Sequence, residues 1–570
     1  MKKIIFIAIA AVALVATSCT NLDTQDLTHK NTANYPQTYD DAQQMIAGVY
    51  NVLNVATSTS YETFFTVSEL ASDDQFGGGG SNDQRAQAED MLMSSQTDML
   101  RQFWLDSYVG IHRANNAIET LDNCTGYPSD DMKNQMMGEA YFMRAFFYYQ
   151  LASLWENIPV LITTEAQNVP QSTPDDTWGQ IISDLKQAIT LMPSHPMGWL
   201  DAGHADRWAA EALMARAWLF YTGFYQKDAA TLPDGSTVAK SDVSGWIDDC
   251  VNNSGYSLVP DFRELWAYTN RLTVEDYPYT AGQGLVWAEN DNAINPESMF
   301  AIKFNKMAGY NAPDLPGFGN NYTLYFGVRT QPASAGFPFG PGWGWGPVTP
   351  NLWDDWVKAE PNDMRRAASI CDIPSELPTY KIGCGGSDTY IQETDYLNKK
   401  IIPILDSNMN SFEVDMYNIA TVDMQMNNLH DLVLIRFADV LLMQSELEQN
   451  ANGMNQVRAR AGLPPVAYSD AALQNERRWE LAFEGIRWND IRRWHIAETA
   501  LAEQSGQPIY TNGVAGVNST PNNGGGYAAR YQATNGGFFA IPESEIALSA
   551  GVLKQNAGWG DASSLYTSWK

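Results

Sequence analysis

Three groups of residues in this chain could do chemistry: aromatic rings set among glycines, carboxylates in large excess, and Arg/Glu sets at helical spacing. The densest aromatic stretch is GFPFGPGWGWGPVTPNLWDDW, at 336–356. Gly and Pro around Trp343 and Trp345 fix the backbone and leave the indoles to project. A flat ring can lie against the C–H patch of a pyranose, while Asp, Asn or Arg nearby bonds its hydroxyls. The stacking candidates are Trp343, Trp345, Trp287, Tyr310, Tyr322 and Tyr325, with Asn321 and Arg329 for polar contacts. Asp73 and Asp74, in the turn SELASDDQFGGGG, could also bond sugar hydroxyls. The alternative for the rings is packing of the loop onto helices; for the two aspartates it is capping or solvation.

Other chemistries lack their residues. No HExxH, GxSxG, P-loop, completed GxGxxG or EF-hand loop occurs. The 6 His are scattered, and His195 and His204, which share a loop, make a weak metal case. Cys124, Cys250, Cys371 and Cys384 form no CxxC pair, although Cys371 and Cys384 are close enough to bridge a loop in an oxidising compartment. Among 66 Asp and Glu chance pairs are certain, yet the most ordered set, Glu476, Glu480 and Glu484, sits beside Arg. A carboxylate paired with Arg is held ionised and makes a poor general acid. No enzyme, cofactor or metal is expected. A formal charge of −31 argues against nucleic acid and polyanionic ligands, so a neutral ligand fits best.

The elements that must hold these residues are mainly helical. Helical spacing predicts helices over 40–53, 98–122, 131–155, 174–192 and 205–225, with a hairpin or loop at 226–240. In the last of these helices, small Ala residues alternate with large aromatics, which lets helices stack in tetratricopeptide-like pairs. From about 255 to 350 the texture turns to Gly, Pro, Asn and aromatics, and 370–430 reads as strands and loops. The apolar run Leu432–Leu447 reads as one helix buried on nearly all sides, interrupted by Arg436, Asp439 and Glu446. On the segment 475–484, Arg477, Glu480 and Glu484 share one face, with Gly485 as the stop. Trp104, Trp155, Trp479 and Trp488 lie on core helices and are assigned to packing.

The chain begins MKKIIFIAIAAVALVATSCT: two lysines, an apolar run too short for a comfortable membrane span, then small residues before Cys19. This reads as a signal peptide over 1–18. Ala16-Thr17-Ser18-Cys19 resembles a bacterial lipobox, with Ala16 where Leu is more usual, and ordinary signal cleavage is the alternative.

The strings LIRFADVLLMQSE, RARAGLPP and ERRWELAFEGIRWNDIRRW resemble the C-terminal signature of the SusD/RagB family. EAYFMRAFFYYQLASLWENIPVLIT, GWGWGPVTPNLWDDW and GGFFAIPESEIALSAGVLKQNAGW extend the likeness to most of the chain. The resemblance implies a mainly α, tetratricopeptide-like scaffold with a long aromatic-rich insertion bearing short strands. The divisions it suggests are 19–254 for the N-terminal scaffold, 255–430 for the ligand region and 431–570 for the signature region. It further implies a lipoprotein anchored at Cys19, facing the exterior on the outer membrane. Such a protein captures an oligosaccharide and passes it to a SusC-like TonB-dependent transporter. A peptide-binding relative and a helical-repeat adaptor for protein partners are the alternatives. Trp343 or Trp345 could also be the family's structural Trp.

Overall fold

Polar caps start the long helices close to where the sequence places them. The Thr38 hydroxyl accepts from the Asp41 N–H at 3.2 Å, and the Asp41 carboxylate accepts from the Thr38 N–H at 3.1 Å, opening the helix Tyr39–Tyr50. Ser129, Thr173 and Asp206 likewise cap the helices Asp130–Trp155, Pro174–Leu191 and Arg207–Phe224. Each cap satisfies an N–H that the first helical turn leaves without an internal acceptor. The computed structural model describes residues 30, 35–90, 92, 98–305, 319–386, 388–419, 422–519 and 525–559. The leader with Cys19, and the stacking candidate Tyr310, lie outside these residues.

Each helix packs on the next. Tyr39–Tyr50 lies on Arg101–Thr120, which lies on Asp130–Trp155, then Pro174–Leu191, Arg207–Phe224 and Lys240–Asn253. The expected hairpin pairs Ala229–Thr231 with Thr237–Ala239. Approach is close enough at Gly110 that a Cβ there would sit 2.4 Å from the Phe147 ring. Phe142, Phe147, Tyr148, Trp155, Trp178 and Trp208 fill the shared core, each large ring contributing roughly 1.5–3 kcal/mol by its burial. Inside it, Arg144 joins two helices through Asp184, at 2.6 and 2.8 Å. This is the mainly α, tetratricopeptide-like scaffold that the sequence implies. Among the described residues no helix is long and apolar enough to cross a membrane.

The apolar run Leu432–Leu447 differs from its reading as a single helix. Leu432–Arg436 is a strand, paired antiparallel with Ser298–Ile302, and the helix begins only at Phe437 and runs to Glu448. An apolar run without a polar stripe is compatible with either element, and the partner strand lies far away in sequence. The helix Phe437–Glu448 covers Lys240–Asn253 and receives Asn452–Arg460 and Asp470–Leu481 on its other sides, so the stack continues across the insertion.

The Asp470–Leu481 helix stops short of Glu484, with Phe483 (φ +65°) and Gly485 (φ +71°) turning the chain. Glu484 therefore reaches Arg436 from a turn, at 2.6 Å, rather than from the helix face predicted for it. The shared face also divides: Arg477 goes to Asp439 (2.7 Å) and Asp490 (2.8 Å), while Glu480 meets Arg436 (2.5 Å), Arg365 (2.9 Å) and Arg460. Glu480 is fully buried. Burial alone would raise its pKa, but Arg460, Arg436 and Arg365 hold it far below the usual carboxylate range.

The segment between the two halves of the stack has its own core, built from Phe262, Tyr268, Trp287, Phe339, Ile402 and Phe412. Its strands are short, as expected: Ile370–Asp372 pairs with Tyr396–Asn398. Cys371 and Cys384 are not joined; the Cys384 thiol faces the Arg329 carbonyl at 3.6 Å.

Candidate functional site

The Gly-Trp-Gly-Trp loop is held on both sides by backbone hydrogen bonds. Trp343 N–H donates to the Leu324 carbonyl at 2.9 Å, Gly344 to Gly327 at 2.9 Å and Trp345 to Tyr325 at 2.8 Å. From the opposite side, Gly79 N–H donates to the Gly344 carbonyl at 2.8 Å and Phe76 to Pro347 at 2.9 Å. Glycine is required at 344: its φ is +71°, and a Cβ would lie 2.7 Å from that of Arg329 and 3.0 Å from the Tyr390 ring. The loop is thus a fixed platform, and its two indoles part company. Trp345 is 6% exposed, 4.7 Å from the Tyr325 ring, and packs with Tyr322, Phe326 and Phe65. Trp343 is 38% exposed.

Arg329 sets the exposed indole rather than reaching outward. Its side chain is 12% exposed; Nη1 donates to the Trp343 carbonyl at 2.8 Å and Nε to that of Thr389 at 2.7 Å. Asp388 and Asp83 neutralise it at 3.2 and 3.4 Å, and Asp83 also accepts the Gly80 N–H at 2.6 Å. Two half-buried rings lie on the Trp345 side of the loop. Tyr325 is half-buried and 5.5 Å from the half-buried Tyr61, whose ring lies under Arg85 at 4.7 Å. Neutral rings beside fixed charges that are already paired suit an uncharged ligand with flat apolar patches and hydroxyls.

The remaining sequence candidates divide clearly. Tyr322 is buried edge-on to Phe65 at 5.0 Å, and Trp287 is buried against Phe412 at 5.5 Å. Asn321 is half-buried at the start of the helix Asn321–Phe326, beside Tyr325 on the same turn. Asp73 and Asp74 are not at a surface. Asp73 takes Arg487 at 2.7 and 2.8 Å, and Asp74 takes Arg478 at 2.7 Å, both carboxylates being inaccessible. Burial opposes ionisation of Asp73, yet Arg487 and Arg478 bring it down to about 2. These aspartates fasten the glycine turn to the signature helices. The sequence reading missed Tyr61, Arg85 and Asp83. The Tyr61–Arg85 pair spans a turn and a separate short helix, and nothing in their spacing announces it.

Comparison with known proteins agrees with this architecture. Residues 25–219 match a family described as "Starch-binding associating with outer membrane", and residues 385–559 match one described as "SusD family". SusD-like protein P2 of Formosa agariphila is 24% identical, over 98% of this chain and 99% of its own length. Surface glycan-binding protein A from Bacteroides fluxus superposes with a TM-score of 0.69 at 23% identity, covering 92% of this chain and all of the other. The equivalent protein from Bacteroides thetaiotaomicron, solved in complex with laminarihexaose, gives 0.68 at 20% identity, over 91% and 100%. With its N-terminal scaffold and its C-terminal signature each matched in this way, the chain belongs to the SusD/RagB family.

Proposed function

We propose that this protein is a non-enzymatic binder of neutral oligosaccharides, with the face around Trp343 as its contact surface. The observation that carries the reading is the exposed Trp343 ring on a backbone pinned from two sides, with Arg329 fixing its carbonyl. A rigid, pre-placed ring loses little entropy when a sugar stacks on it. The laminarihexaose complex of a relative with the same fold supports the ligand class. Two or three ring contacts at roughly 0.5–1.5 kcal/mol each, taking aromatic pairs as a proxy for sugar stacking, together with hydrogen bonds from exposed groups to the sugar hydroxyls, imply an affinity between about micromolar and millimolar. That range suits a protein that passes its cargo to a SusC-like TonB-dependent transporter while anchored through Cys19 to the outer membrane. Calorimetric titration with laminarihexaose, other neutral hexasaccharides and a peptide panel tests the ligand class. Saturable binding of at least one glycan is expected, and binding confined to peptides overturns it. For the anchor, Cys19→Ala should leave the membrane fraction in cells lacking the transporter; unchanged membrane association would refute lipidation.

A further inference from the structure

A second recess lies away from the Trp343 face. The 195–206 loop between two scaffold helices, the 287–305 segment around the strand Ser298–Ile302, and the residues Tyr417, Leu429, His430 and Asp431 enclose a cavity of about 490 Å³. Its wall includes none of Trp343, Tyr325, Arg329 or Asp83. The volume falls within the range of small-ligand pockets, roughly 300–1,000 Å³.

The wall combines half-buried aromatic rings with polar groups already held in place. Trp199, resting on His195 at 4.3 Å, together with Phe304 and Tyr417, supplies the rings. The Asn295 amide is fixed at both ends: its NH₂ donates to Glu289 at 3.2 Å and its carbonyl accepts the Glu297 N–H at 3.0 Å. Lys303 pairs with Asp431, leaving ammonium protons for another acceptor. Burial, reinforced by the Asp431 charge, pushes the Glu289 carboxyl above the ordinary carboxylate range, which favours its proton-bearing, donating form.

The same inventory rules on ligand chemistry. The cation is already neutralised, so a phosphate or sulfate would bring uncompensated charge into the recess. Among the described residues no cluster of three or more His, Cys, Asp or Glu could hold a metal ion. Flat rings flanked by fixed donors and acceptors of both kinds match a polyhydroxylated ring of no net charge.

We propose that this cavity is a second carbohydrate site, taking a neutral mono- or disaccharide independently of the Trp343 face. The ligand class rests on the reading given under Proposed function; the location and size of the site do not. A short site separate from the exposed Trp343 face would let the protein hold the small sugars that accompany a polymer.

The test titrates the full-length protein by calorimetry with cellobiose, laminaribiose, laminarihexaose and glycylglycine. Trp199→Ala removes a ring from the wall, and Ala293→Trp fills the cavity from an exposed position, guarding against misfolding of the first variant. Both should weaken disaccharide binding by about tenfold, while Trp343→Ala leaves it within about twofold. Absence of disaccharide binding to the wild type at millimolar concentration overturns the site, as does its loss in Trp343→Ala with retention in the two cavity variants. Saturation by glycylglycine in place of the disaccharides also overturns it. Hexasaccharide binding that ignores Trp343→Ala would instead refute the exposed face, a separate outcome.

Discussion

The junction around Glu480 and the platform around Trp343 handle polar groups in opposite ways. At the junction, Arg436, Arg365 and Arg460 are buried and spend their donors on Glu480, Glu484, Glu297 and Asp363. At the platform, one arginine and two aspartates fix a carbonyl, and a large ring is left facing out. A buried charge network positions chain segments with great specificity but offers a ligand nothing, since every partner is already internal. An exposed ring on a fixed backbone does the reverse. The abundance of charged side chains in the signature therefore marks scaffold, and the sparse polar set around Trp343 marks contact.

The sharpest way to break this contrast is at Glu480. Glu480→Ala should cost about 3–5 kcal/mol of stability, because it strips a shared carboxylate from buried arginines. Chemical denaturation would register the loss, while oligosaccharide affinity of the folded fraction stays at the wild-type value. A stable variant that no longer binds would move Glu480 into the contact surface.

The two indoles of one loop provide the next test. Trp345→Ala opens a cavity beneath Tyr325 and should lose about 3–5 kcal/mol in the same assay. Trp343→Ala should change stability by no more than about 0.5 kcal/mol and weaken hexasaccharide binding by about tenfold, or 1.4 kcal/mol. Equal effects of the two substitutions on stability would erase the distinction drawn between them.

A smaller effect concerns pH. Glu69 accepts the Gly485 N–H at the base of the signature turn, and burial raises its pKa from 4.5 to about 8. Its folded-state value lies above the unfolded one, so its contribution is full below about pH 4.5 and is lost as pH rises through about 8. The melting temperature should therefore decline between about pH 5 and 8, across that window, and Glu69→Gln should flatten the decline. Asp73 and Asp439, both brought down to about 2, act in the opposite sense and matter only in strong acid. An unchanged slope in Glu69→Gln would remove Glu69 from the account.

Much of the scaffold was legible because its signals are local. Ser129, Thr173 and Asp206 stand at helix starts, and the apolar periodicity between them is the core itself. The split of Leu432–Leu447 was not legible, since the strand depends on a partner more than a hundred residues away. The same limit hid the roles of Asp73 and Asp74. Their partners Arg487 and Arg478 are some four hundred positions distant, and a DD pair before glycines looks like an exposed turn. At the site, the Gly-Trp-Gly-Trp pattern announced a rigid aromatic loop. Which indole faces out depends on the segments that flank it, Gly77–Gly80 and Asn321–Phe326, and composition alone could not choose between Trp343 and Trp345.

The helix Lys240–Asn253 is covered by Phe437–Glu448, with the whole 254–436 segment emerging between them. During synthesis, the last helix of the N-terminal stack must wait for nearly two hundred further residues before its outer side is shielded. Until then the nascent chain carries an uncapped solenoid end, the kind of apolar side that recruits chaperones or self-associates. Closure also pairs Ser298–Ile302 with Leu432–Arg436 across the same interval, a non-local contact of the type that slows folding. A truncation before residue 437 would thus remove more than the C-terminal signature: it would leave the first half of the molecule without its lid.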